Sequence, residues 1–70
     1  MHIHKQNILN LKDGEVYFLD LGEESGAEVW KKNDLYFLFD IPQYGGTPTY
    51  CGHFNVLNID DAIKNVLSWT

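Results

Sequence analysis

A chain of 70 residues with ten acidic and five basic side chains, net charge −5, excludes two separate cores, because a chain this short buries only about 60 % of its unfolded surface. Its 44 % hydrophobic and 14 % aromatic content excludes a disordered segment, and the acidic balance excludes direct nucleic-acid binding, which needs clustered Lys and Arg against phosphate. The one cysteine excludes an internal disulfide, so a core contributing about 3–5 kcal/mol at this size has no covalent staple.

These bounds lead us to expect one domain over residues 1–70 in a reducing, cytoplasmic setting, where a lone thiol persists. The opening "MHIHKQNILN" has neither a signal-peptide apolar run nor a membrane-spanning length. The segment "IHKQNILNL" precedes the turn signal "KDG" and is an optional first strand, although its alternation is poor. In "EVYFLDL", Tyr17, Leu19 and Leu21 alternate with Val16, Phe18 and Asp20, the pattern of a strand. "GEESG" then turns the chain into "AEVWKK", a strand carrying Val29 and Trp30, and Asn33-Asp34 supplies a hairpin turn. "LYFLFDIP" predicts a strand with Leu35, Phe37, Phe39 and Ile41 on one face and Tyr36, Leu38 and Asp40 on the other; Pro42 ends it.

The stretch "IPQYGGTPTYCGHFN" connects this strand to the next, shaped by Gly45 and Gly46. "TYCGHFNV" then alternates Tyr50, Gly52, Phe54 and Val56 against Thr49, Cys51, His53 and Asn55. In "NIDDAIKNVLSWT" the period changes. Ile59, Ala62, Ile63, Val66 and Leu67 form an apolar stripe at helical spacing, Asn58 is the natural N-cap, and Asp60 and Asp61 complement the helix dipole. The predicted fold is α+β: an antiparallel meander of four strands, with a fifth as the N-terminal option, followed by one C-terminal α-helix packed on one sheet face.

One helix covers one face, and the expectation is that it covers Leu35, Phe37, Phe39 and Ile41. The opposite face, carrying Tyr36, Leu38, one of the two alternating sets of "EVYFLDL" and Trp30, is then too apolar for water alone and becomes the candidate contact surface, unless the sheet curls into a barrel-like core or the N-terminal segment covers it. Tyr44 and Tyr50 on the glycine-shaped connection, and Glu23, Glu24 and Glu28 as the densest acidic patch, complete the candidate partner-binding set. "HIH" and "CGH" place His2 with His4 and Cys51 with His53 at strand spacing, which would suit a tetrahedral zinc site if the N-terminal strand lay beside the fourth. Structural zinc sites usually carry CxxC-type spacing, so the expectation is no metal and no cofactor. Cys51 and His53 as strand neighbours stand too far apart for a nucleophile dyad, and the acidic pairs are explained by capping and solvation. "YGGTP" lacks the following helix of a phosphate loop.

The expected protein is therefore a non-enzymatic, acidic interaction module. Its partner is another protein, in the first place a basic one, in the manner of small inhibitors or accessory proteins of phages and mobile elements. The alternatives are a metal- or small-ligand-binding domain on the HIH and CGH pairs, and a structural homo-oligomer subunit such as a homodimer. Nucleic acid and membrane are not expected partners.

Overall fold

The computed structural model describes residues 3–22, 25–42 and 46–68. Helix α1 (Ile3–Leu9) is followed by strands β1 (Val16–Gly22), β2 (Ser25–Lys32), β3 (Leu35–Ile41) and β4 (Thr49–Phe54), then a 3₁₀ turn (Val56–Asn58) and helix α2 (Ile59–Leu67). The four strands form one antiparallel sheet in the order β1-β2-β3-β4, each beside its neighbour in sequence. The fold is α+β, a meander closed by a C-terminal helix.

The N-terminal segment is a helix, which corrects the option of a fifth strand. His4, Asn7 and Ile8 recur at i, i+3 and i+4 and share one face of α1, and Leu11 follows just beyond its end. Ile8 is buried and Leu11 packs against the core. The polar half of the stripe meets Tyr17 of β1. Asn7 Nδ2 donates to the Tyr17 hydroxyl oxygen at 3.2 Å, which leaves the hydroxyl proton for His4 Nδ1 at 2.8 Å. The Lys5 ammonium joins α1 to α2 through the Asp60 carboxylate at 3.1 Å.

The buried set is Ile8 from α1, Leu19, Ala27, Val29, Tyr36, Leu38 and Phe54 from the sheet, and Ile59 and Val66 from α2. The expectation for β3 is thereby reversed: Tyr36 and Leu38 face the helices, and Phe37 and Phe39 face away. β2 decides the matter. It offers Ala27 and Val29 on one face, Glu28, Trp30 and Lys32 on the other, and charged groups cannot lie under a helix without partners. Register then carries the choice across the sheet, because Val29 pairs with Leu38 while Glu28 pairs with Phe39. Tyr36 stacks on Phe54 at 5.3 Å between ring centroids, near-parallel at 16°.

Local chemistry sets the ends of the elements. Asn33 has φ 57°, as a two-residue hairpin requires. Asn58 stands at the N-cap of α2 without a side-chain bond; Asn55, one turn earlier, accepts from the Leu57 N–H at 2.9 Å and caps the 3₁₀ turn instead. The 12–15 turn is tied to β2: Gly14 N–H donates to the Lys31 carbonyl at 2.8 Å, and the Lys31 ammonium reaches Asp13 at 3.0 Å.

Two outcomes follow. Leu38→Ala lowers stability in urea denaturation by about 2–4 kcal/mol, whereas Phe39→Ala costs roughly 1 kcal/mol; equal losses at the two positions would contradict the assignment of faces. The hydrogen bond from Lys31 holds the Asp13 carboxyl below its ordinary value. A carboxyl depressed in the folded state contributes stability above the unfolded value and loses it as pH falls through the folded one. The urea midpoint of Asp13→Asn should therefore fall less than wild type on acidification below the ordinary carboxylate range, and coincident curves would show that the bridge contributes nothing.

Candidate functional site

The face turned away from the helices is ordered in rows by strand register. Val16, Trp30, Phe37 and His53 pair across the four strands as one row, and Phe18, Glu28, Phe39 and Tyr50 as the next. Asp20, Gly26 and Ile41 begin a third. Four rings or aliphatic groups stand well out into solvent, with Val16 43 %, Phe18 51 %, Trp30 40 % and Tyr50 53 % exposed. An antiparallel sheet with one wet face normally carries polar residues there; this one carries aromatic rings.

The rings support one another. Tyr50 packs on Phe39 at 5.6 Å and on Phe37 at 6.4 Å between centroids, and Phe37 meets the His53 ring at 6.0 Å. Phe18 lies across Gly26 so closely that a Cβ there would sit 2.5 Å from the ring, and the glycine lets the ring lie against the sheet. A shallow groove of about 520 Å³ crosses this face between Trp30, Phe37, Phe39 and Pro48, with Glu28 and Lys32 at its sides. Trp30 Nε1–H donates to the Glu28 carboxylate at 3.0 Å, which fixes the indole over β2.

β4 reaches this arrangement through a bulge. Leu38 pairs with Gly52 and Phe39 with Tyr50, so Cys51 is the extra residue. Gly52 accommodates it at φ +128°. The expected alternation, with Tyr50 opposite His53, is thereby corrected: both side chains lie on the outer face, and the Tyr50 hydroxyl is 3.2 Å from His53 Nδ1. The Cys51 thiol donates to the Thr49 carbonyl at 3.3 Å. Cys51 lines a second groove, of about 390 Å³, between β4 and α2, with Leu38, Asn58, Asp61 and Asn65 around it.

Of the residues expected at a contact surface, Trp30, Tyr50 and Glu28 lie on this face, while Tyr36 and Leu38 are buried beneath the helices. Tyr44, Glu23 and Glu24 lie outside the described residues, as do Gly45 and His2. Phe37 and Phe39 belong to the face and were expected on the opposite one, while Phe18 falls in one of the two β1 sets left open; the charge alternation of β2, which sets the parity of its neighbours, decides both. His4 and His53 sit at opposite edges and on opposite sides of the sheet, His4 against Tyr17 and His53 against Phe37. The juxtaposition a zinc site requires is thus not formed between them. Among the described residues no group of three or more His, Cys, Asp or Glu side chains is placed to hold a metal ion, and no helix is long and apolar enough to cross a membrane.

No protein-family model matches the chain, and no curated protein or solved structure matches it either.

The bulge is testable through its glycine. An added Cβ at position 52 would meet nothing within 4 Å, so the cost of Gly52→Ala comes from the backbone alone, about 1–3 kcal/mol. The substitution should also weaken the nuclear Overhauser contacts between the Tyr50 and Phe39 rings. Unchanged stability with those contacts intact would mean that β4 runs without this bulge.

Proposed function

We propose that the chain is a non-enzymatic protein-interaction module whose contact surface is the outer face of the sheet. One observation carries the reading: Phe18, Trp30, Phe37, Phe39 and Tyr50 form an aromatic layer spanning all four strands, with no helix or strand of the described residues packed over it. Contiguous apolar surface of this kind marks contact sites, and aromatic residues, Trp and Tyr above all, dominate binding energy where they can be desolvated. Given side chains of about 150–250 Å² each, the half-exposed Phe18, Trp30 and Tyr50 alone offer roughly 300 Å².

The net charge of −5 governs approach rather than the contact itself. Asp60 and Asp61 on α2 and Asp13, Glu15 and Asp34 in the turns create a long-range field that favours a basic protein as partner and raises its association rate at low salt. A small acidic inhibitor or accessory protein acts in this way. The free, exposed thiol of Cys51 accords with a reducing cytoplasmic setting.

Affinity capture from an extract of the native cell, with wild type and Phe18→Ser/Trp30→Ser side by side, checks the proposal. Both substitutions lie on the outer face and leave the buried set intact. The expected outcome is one or more proteins, or a second copy of the chain, retained by wild type and lost by the variant. Identical captured sets from two folded proteins would rule out the outer face as the contact surface.

A further inference from the structure

The charged groups of the outer face among the described residues are Asp20, Glu28 and Lys32, one more acid than base. Glu28 sits in the middle of the aromatic layer, between Phe18 and Phe39 in its row. The Trp30 indole N–H satisfies one oxygen of the Glu28 carboxylate; covering this face desolvates the remaining charge, which favours a partner that brings a cation to it. Lys32 lies on the same face of the same strand, on the far side of Trp30. Within one chain the two are four residues apart, about 13 Å, too far to pair.

We propose that the face is covered by the same face of a second copy, about a two-fold axis that lies between the two sheets and runs across the strands at the level of the Val16, Trp30, Phe37 and His53 row. The proposal rests on the reading of this face as a protein-contact surface and names its occupant. Such an axis reverses strand direction and keeps strand order, so β2 stacks over β2 of the second copy with Trp30 at the centre. Two residues to one side is Glu28 and two residues to the other is Lys32. Each Glu28 therefore stands over Lys32 of the second copy, twice by symmetry. The same operation places Phe39 over Leu35, because these are the cross-strand partners of Glu28 and Lys32. An axis along the strands gives Glu28 no cation: through β2 it stacks Glu28 on Glu28 and Lys32 on Lys32, and between β2 and β3 it sets Glu28 over Phe39 and Lys32 over Leu35.

Size agrees with a reversible dimer. Four strands about 4.8 Å apart and about seven residues long give a footprint of roughly 450 Å² per copy, so about 900 Å² for the pair before the relief of the rings is counted. That falls just below the threshold of about 1,000–1,200 Å² at which specific interfaces begin, in the range of weak, transient contacts. Two sheets facing across about 10 Å, each backed by its helices, make a layered sandwich with the rings interdigitated at its centre.

Sedimentation velocity on the full chain, from low micromolar to several hundred micromolar, tests the arrangement. Wild type should dimerise reversibly. Glu28→Lys and Lys32→Glu should each weaken the dimer about tenfold or more, and the double variant Glu28→Lys/Lys32→Glu should return to within about threefold of wild type. Circular dichroism of each variant confirms that it folds. A wild type monomeric at the highest concentration overturns the proposal, as does a dimer indifferent to the single substitutions or a double variant as weak as the two effects multiplied. A monomeric wild type that still captures a different protein through Phe18 and Trp30 overturns only the second copy as occupant and leaves the contact face standing.

Discussion

Two apolar faces and enough helix for one of them is the constraint from which the rest of this structure follows. α1 has seven residues and α2 nine, lengths of about 10 and 14 Å, and both are spent on the same side of the sheet. β2 determines which side. Its Ala27 and Val29 are the two smallest apolar side chains in the sheet core, and Ala27 is fully buried, so the helices can approach closely there. Glu28 and Lys32 could not be covered by these helices without unpaired charge. β2 is hydrogen-bonded to strands on both sides, and a one-residue slip in either pairing would move a whole set of side chains to the wrong face. The least hydrophobic of the central strands thus specifies the orientation of the most hydrophobic one.

The edges of the sheet bear the consequences. A regular β4 would alternate without interruption and put Tyr50 on the helix side with Phe54. The extra residue at Cys51, with Gly52 at positive φ, shifts the alternation by one and delivers Tyr50 to the outer face beside Phe39. The same bulge twists an edge strand and breaks its run of pairing groups, a common protection against edge-to-edge association. β1 shows a second irregularity between Asp20 and Gly22, where the Asp20 carboxylate accepts from the Gly22 N–H at 2.9 Å. Both edges are thus irregular, which disfavours the addition of a further strand at either.

This division also explains what could be read from the residues alone. The four strands and α2 were legible because each carries its own period, two for the strands and three-to-four for the helix, with Pro42, Asn33 and the glycine turns as punctuation. α1 was not legible: half of its inward stripe is His4 and Asn7, half-buried polar groups whose partner is the Tyr17 hydroxyl, ten or more residues away. The faces of β3 were misassigned because both of its alternating sets are apolar, and a strand of that composition contains no local information about which side is wet. The bulge at Cys51 was missed for a similar reason, since Gly52 fits a regular strand pattern as readily as a bulged one. Trp30 and Tyr50 were correctly seen as surface residues, while Tyr36 and Leu38 exchanged places with Phe37 and Phe39 once register was imposed.

The outer rings do not need a cover for the chain to fold. Phe18, Trp30 and Tyr50 are substantially exposed in the folded state, as they are in the unfolded one, so their remaining exposure costs folding little. Burial of Ile8, Leu19, Val29, Ile59 and their neighbours drives folding. For the proposed contact, the rings offer apolar area on a surface preformed by pairing across four strands and by the close seat of Phe18 on Gly26. A preformed surface loses little conformational entropy when it is covered, since two-torsion aromatic side chains already packed on one another have few rotamers left to give up. Stability and the proposed contact are therefore separated by face: the helix side holds the fold together, and exposed residues of the opposite side can be altered with little effect on it.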